Sequence, residues 1–374
     1  MMLWGVPALI AWFTPYRFLK ARVLGIGHLA IELDYFVKQR ALGAYPDVKP
    51  IVFTKRKHGL NAALLDIWGK HIKVFTNRVA YDLLRPFTLF PFVCIELEDV
   101  VRRVDQAVHY PRIVEQWGDR PPIFQLPGEL FVEGRRALRD MGVPEDAWFV
   151  AVHARDSVYS PNDEYLYSYR NCRIENYSAA VDAIIARGGW CIRMGEKGTE
   201  PLAERPGLVN YPDTGFKSDW MDLFLCNQAR FFLGNTSGLA FVSTISGVPS
   251  ALANMVPYGC VYGFAPFDIS IPKALRLKDG TVPRFAEIFG SELSTYRSNR
   301  EFDNAGVTLT ENTAQQIRDL TNEMLDVLEG KPQRTLEDEF RQQSFRKLLT
   351  PRHFSYDTRS RIGTAFLREH AHLL

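Results

Sequence analysis

Apolar residues fall into short unbroken runs that alternate with longer segments in which they recur every third or fourth position. The runs at 22–27, 50–54, 72–75, 149–152, 190–194, 208–211, 231–233 and 250–253 read as buried strands. The first of them, Arg22-Val-Leu-Gly-Ile-Gly27, runs into a glycine turn. Helical spacing marks 29–38, 61–68, 176–187, 218–226 and 239–245; in the third, Tyr177, Ala180, Val181, Ile184 and Ile185 share one face. Strands that alternate with helices predict parallel sheets. The alternation occurs twice and restarts at Trp148, after a Pro-rich, charged stretch (111–147) holding one helix at about 129–141. Beyond Pro266 the period is lost until an amphipathic helix at 312–328. A polar, Arg-rich tail then ends in a helix at 362–370. The pattern predicts an α/β protein of two Rossmann-like domains facing a cleft. These are an amino-terminal domain (1–147) and a carboxyl-terminal domain (148–330), with a tail (331–374) that packs back on the first.

The segment 229–249 concentrates candidate chemistry. Its apolar run ends in Gly234-Asn235-Thr236-Ser237-Gly238, and a helix follows at once. A strand–turn–helix of this kind presents free amides and the positive end of the helix dipole, a binding place for anions and for phosphate above all. The same residues also suit an ordinary βα turn capped by Thr236 or Ser237. The strand at 149–152 is followed by His153, Arg155 and Asp156. Ligands of open parallel sheets sit beyond the carboxyl ends of the strands. Arg155 is therefore expected to pair with a phosphate; a surface ion pair with Asp156 or Asp163 is the alternative. Arg170 offers a second positive charge.

Composition narrows the classes. The chain has 374 residues and a net charge of +2, which gives no sign of nucleic acid as a partner. Its five cysteines are scattered without metal spacing, as in a reducing cytoplasm. Basic clusters at 17–22 and 55–58 suit anionic headgroups, an anionic substrate or plain solvation. The apolar start through Phe13 is too short to span a bilayer and lacks the features of a secretory signal. With Trp4, Trp12 and Phe13 ahead of Arg17, Lys20 and Arg22, it reads either as a helix on a peripheral membrane surface or as one packed on its own domain.

Several segments carry a resemblance. They are Gly25-Ile-Gly-His-Leu-Ala-Ile-Glu32, His153-Ala-Arg-Asp156, Tyr169-Arg-Asn-Cys-Arg-Ile-Glu-Asn-Tyr177, Ile192-Arg-Met-Gly195, Lys217-Ser-Asp-Trp-Met-Asp-Leu-Phe-Leu-Cys226 and Gly234-Asn-Thr-Ser-Gly-Leu239. As an ordered set, densest over 150–255, they resemble a bacterial family of GT-B glycosyltransferases associated with surface-polysaccharide gene clusters. His-x-Arg looks like the arginine motif of fucosyltransferase-like folds, and the 235–249 run looks like the phosphate-binding turn of heptosyltransferases. The resemblance implies a metal-independent, inverting transfer of a sugar from a nucleotide-sugar of GDP, dTDP or UDP type. The acceptor would be a cell-surface polysaccharide or a lipid-linked glycan, and no cofactor is needed. A GT-B sugar-nucleotide epimerase or hydrolase, or a non-catalytic glycan- or nucleotide-binding protein, is the alternative. In this reading Arg155, Asn235, Thr236, Ser237 and Gly238 bind the diphosphate, with His153, Arg170 and Lys217 beside them. Gly195 allows close approach of a base or ribose, and Glu196 accepts from ribose hydroxyls. Without an Asp-x-Asp at a strand end, no metal is expected; Glu96, Glu98, Asp99 and Glu337 to Glu339 read as solvated helix charges. His28 is the first candidate for the base that deprotonates the acceptor, histidine being suited to this near neutrality. Glu32, Asp34 and Asp156 are the alternatives.

Overall fold

The computed structural model describes residues 2–55, 59–97, 109–159 and 161–374. Apart from Lys55, the basic run 55–58 lies outside the described residues, as do Glu98 and Asp99. The protein is α/β, built on two parallel sheets.

The first sheet comprises β1 (Tyr16–Lys20), β2 (Lys49–Phe53), β3 (Lys73–Phe75) and β4 (Cys94–Glu96), in the order β3-β2-β1-β4. Helix α1 (Met2–Trp12) precedes it, and α2 (Ile26–Ala41), α3 (Ala62–Trp68) and α4 (Arg78–Leu84) connect its strands. Helices α5 (His109–Trp117) and α6 (Gly128–Asp140) lead to the second sheet. The strand expected at 22–27 is instead a loop running into α2. The Arg22 amide donates to the Glu32 carboxylate at 2.6 Å, and Gly25 turns the chain at a φ of 97° that suits glycine. The first strand lies earlier, where Phe18 and Leu19 supply the buried positions.

The second sheet is seven-stranded, in the order β13-β10-β9-β8-β5-β6-β7. Its strands are β5 (Phe149–Val152), β6 (Trp190–Arg193), β7 (Leu208–Asn210), β8 (Phe232–Gly234), β9 (Ser250–Met255), β10 (Ile269–Pro272) and β13 (Arg361–Ile362). All nine strand pairings within these two sheets run parallel, and β11 (Ala274–Arg276) and β12 (Thr308–Thr310) form a separate antiparallel pair. The helices here are α7 (Glu164–Tyr167), α8 (Ser178–Ala186), α9 (Asp219–Gln228), α10 (Gly238–Ile245), α11 (Phe285–Gly290), α12 (Asn299–Asn304) and α13 (Ala314–Leu328). Two more, α14 (Leu336–Arg346) and α15 (Thr364–Glu369), belong to the tail. The tail, expected to pack back on the first domain, joins the second sheet and also touches the first unit. It contributes β13 to the edge of the second, beside β10, and α15 packs on α13. Arg359 reaches Glu115 of α5 from the tail. The charges at 337–339 are not all solvated either: Asp338 is buried and accepts from Thr335 and Arg368. Glu96 lies on a strand, not a helix, and pairs with Lys20 at 2.7 Å.

Both sheets have one place where the chain reverses its direction of growth. In the second, β6 and β7 extend one side of β5, and β8, β9 and β10 extend the other. In the first, β2 and β3 lie on one side of β1 and β4 on the other. Crevices at such switch points are where ligands of open α/β sheets bind. Helices α2 and α10, which follow β1 and β8, pack directly on each other, so one apolar core runs through both units.

Candidate functional site

The contact between α2 and α10 is made by glycines at their amino-terminal turns. A Cβ at Gly27 would lie 2.8 Å from the Gly238 Cα, and one at Gly238 would lie 2.7 Å from Ile26 Cγ2. Only residues without side chains let the two backbones approach this closely. The positive ends of both helix dipoles are thereby brought to one place, between the two switch points. Gly25, the N-cap of α2, offers no side chain to the first amides of that helix.

Ser237 is the N-cap of α10, in extended conformation, but its side chain makes no capping bond. Its Oγ is buried and has no hydrogen-bond partner among the described residues. A buried hydroxyl without a partner costs free energy until a ligand or water satisfies it. Asn235 is fully buried and ties the turn to its neighbours: its Oδ1 accepts from the Arg155 amide at 3.0 Å, and its Nδ2 donates to the Arg170 carbonyl at 2.8 Å. Thr236 is turned away, its hydroxyl donating to the Val256 carbonyl at 3.1 Å.

The strand end of β5 and the turn after β8 thus lie side by side, but the Arg155 guanidinium does not point at an open phosphate site. Its side chain is 14% exposed and donates to Asn171 Oδ1, to Glu164 Oε1 at 3.5 Å and to the Tyr167 carbonyl at 3.4 Å. Asn171 in turn donates to Glu164 at 2.6 Å, and the buried Lys273 holds the Asn171 carbonyl at 2.6 Å. Arg155 therefore braces the 164–171 loop. Arg170 is carried on that loop, stacked over the Tyr167 ring at 4.9 Å, and its Nε is buried without a partner among the described residues.

The remaining expected residues are placed as follows. His153 donates from Nδ1 to the Met194 carbonyl at 3.4 Å, and burial pushes its pKa down to about 4, so it is neutral at pH 7. Lys217 pairs with Asp222 at 2.5 Å and Glu196 at 3.3 Å, so both Lys217 and Glu196 already have partners of opposite charge. Burial pushes the Asp222 carboxyl up to about 6 against the pull of Lys217. Gly195 is needed for packing: its φ is 150°, and a Cβ would meet Thr199 Oγ1 at 2.9 Å. Asp156 accepts from the Val158 amide at 2.8 Å, and burial raises its pKa.

His28 lies next to Gly27, in the first turn of α2, and its side chain is 32% exposed. Its Nδ1 meets Glu32 Oε1 at 2.8 Å. Glu32 is fully buried, so a carboxylate there accepts from Nδ1 and leaves Nε2 as the nitrogen open to a ligand. Glu32 itself is buried out of a ligand's reach and holds the His28 ring through Nδ1. Asp34 is excluded from the site by burial: Lys38 at 2.7 Å and Tyr110 at 2.6 Å enclose it.

One residue escaped the sequence reading. Arg193 ends β6 in the Ile192-Arg-Met-Gly195 segment, is buried, and donates from Nη2 to Thr199 Oγ1 at 2.5 Å and to the Glu200 carbonyl. A charged residue closing a fully apolar strand was the signal available.

No protein-family model and no curated protein matches the chain. Solved glycosyltransferase structures do resemble it. One is glycosyl transferase family 9 from Veillonella parvula DSM 2008, 12% identical, covering 64% of this chain and 79% of that one at a TM-score of 0.41. Another is the iron-containing dodecameric glycosyltransferase TibC from enterotoxigenic E. coli H10407, 11% identical, covering 65% of this chain and 58% of that one at a TM-score of 0.35. TibC in complex with ADP-D-beta-D-heptose gives 12%, 64%, 57% and 0.35 in the same order.

Proposed function

We propose that the protein is a metal-independent, inverting glycosyltransferase that moves a sugar from a nucleotide-sugar to a cell-surface polysaccharide or lipid-linked glycan. The observation that carries this reading is the meeting of α2 and α10 at Gly27 and Gly238, which joins the two switch points into one site. On the α10 side, the free amides, the partnerless Ser237 hydroxyl and Arg170 suit a diphosphate. On the α2 side, His28 backed by Glu32 suits a general base.

In this reading Nε2 of His28 takes the proton of an acceptor hydroxyl. The freed oxygen lone pair forms the new bond to the anomeric carbon, on the face opposite the leaving group. The bond from that carbon to the phosphate oxygen breaks, and its electron pair leaves with the nucleoside diphosphate. The amides of α10 and the Arg170 guanidinium stabilise the charge that develops there, and this is the role a metal would otherwise fill. Arg155 acts indirectly, by holding the loop that carries Arg170.

A thermal-shift panel of GDP, UDP, dTDP, CMP and ADP tests the reading. A nucleotide at a hundredfold its Kd should stabilise the protein by about 2–3 kcal/mol. Arg170→Ala should weaken that nucleotide roughly tenfold, as loss of a charge-assisted contact does. His28→Ala should bind it normally yet lose transfer. If no nucleotide raises the melting temperature, the reading is wrong.

A further inference from the structure

The amino-terminal helix has no polar side chain along Met2–Trp12, yet only part of it is covered. Ala8 faces inward, into a small cluster with Phe18, Ile51 and Val93. Val6, Leu9, Ile10 and Phe13 face out at helical spacing, and Phe13 is 79% exposed. The apolar surface continues on the neighbouring 85–93 segment through Leu89 and Phe92. Trp12 joins the two parts, its ring 6.1 Å from that of Phe92. Helix α4, packed on the same segment, adds Val79 and Leu83. Scattered apolar residues on a surface need no explanation, but a continuous aromatic-rich patch does.

The segments that form this patch carry a net positive charge. The segments 2–20 and 73–96 carry Arg17, Lys20, Lys73, Arg78 and Arg85. Their two carboxylates, Asp82 and Glu96, are already paired with Lys55 and Lys20, both at 2.7 Å. Arg17 closes the carboxyl end of α1 through the Thr14 carbonyl at 2.7 Å and the Trp12 carbonyl at 3.2 Å, which fixes the helix against the sheet. No helix among the described residues is long and apolar enough to cross a membrane.

We propose that this face docks on an anionic lipid bilayer, with α1 lying in the interface plane and Trp12 and Phe13 among the acyl chains. A helix that is apolar on its outer face and flanked by aromatic rings and cations matches a monotopic contact. Charge separates this occupant from a second copy of the chain. A two-fold dimer through the patch would set these positively charged segments against their own like, whereas anionic phospholipid headgroups complement them. The inference uses none of the residues of the nucleotide reading and holds or falls without it.

The test is co-sedimentation of the full chain with vesicles of phosphatidylcholine alone or with one third phosphatidylglycerol. The chain should pellet with the mixed vesicles, bind the neutral ones at least tenfold more weakly, and be released as salt is raised from 0.05 to 0.5 M. Ile10→Glu with Phe13→Glu, both exposed and so compatible with folding, should lower binding at least tenfold while the melting temperature stays unchanged. Arg78→Ala with Arg85→Ala should weaken binding to the mixed vesicles but not to the neutral ones. Trp fluorescence should shift to the blue on the mixed vesicles. Failure to pellet with either vesicle overturns the proposal, as does equal pelleting of the Glu variant. A concentration-dependent dimer abolished by the Glu variant, without vesicle binding, would assign the face to a second copy.

Discussion

Replacing Gly27 by alanine tests the feature on which the site depends. The added Cβ would stand 2.8 Å from the Gly238 Cα and 2.8 Å from Cδ2 of Phe241. The phenyl ring can turn, but the Gly238 backbone cannot give way without moving α10. Carbon atoms settle at about 3.5–4.0 Å, so the two helices must part by roughly 1 Å. Overpacking of this kind costs about 1–3 kcal/mol. Alanine regains less than about 1 kcal/mol of helix propensity in a first turn, which leaves a net loss on the order of 1–2 kcal/mol. Urea denaturation followed by far-ultraviolet circular dichroism measures it, and the melting temperature should fall by roughly 2–4 °C. Gly128→Ala is the matched control, because it also begins a helix and its Cβ would meet nothing within 4 Å. The close contact is refuted if Gly27→Ala is as stable as that control.

Three other outcomes follow from buried groups. His353 is buried and its pKa is pushed down to about 4, so the unfolded chain takes up its proton first as pH falls. Its contribution is complete above pH 6.5 and is lost between 6.5 and 4. His353→Asn should therefore lose less stability than the parent over that window, by up to about 3 kcal/mol, and parallel pH profiles would refute this. Asp338 accepts from Arg368 Nε at 2.7 Å and from the Thr335 amide at 2.8 Å, and Arg368 holds its carboxyl well below the usual range. Asp338→Ala should cost about 1–3 kcal/mol at pH 7 in urea titrations, and less as pH drops below the unfolded carboxyl value near 4; no cost at pH 7 would refute it. Cys172, Cys191 and Cys226 are buried, and burial raises their thiol pKa values. Thiol reagent should reach them only after denaturation, and rapid labelling of the native protein at any of the three would be inconsistent with that burial.

The second sheet was the most legible part of the chain. Its central strands are buried on both faces, so they read as unbroken apolar runs between turn residues, and β5, β6 and β8 fall within one residue of expectation. The first strand was displaced because Val23, Leu24 and Ile26 mimic such a run, whereas β1 mixes Arg17 and Lys20 with its two buried positions. Between 267 and 311 the elements are only three to six residues long, too short to show a period. At the site, sequence located the backbone of the 234–238 turn and of the β5 end correctly relative to each other. It could not give the direction of the Arg155 side chain, whose acceptors come from nine and sixteen residues further on, in a loop without periodicity. The His28–Glu32 pairing, by contrast, follows from helical spacing of four.

The shared core has a bearing on how the molecule moves. Side chains of α2 and α10 interlock inside a single hydrophobic cluster, and Asn61 and Ala62 at the start of α3 are latched to Asp219 at 3.1 Å. Halves joined in this way do not swing apart like the jaws of a hinge, since parting them would expose apolar area to water.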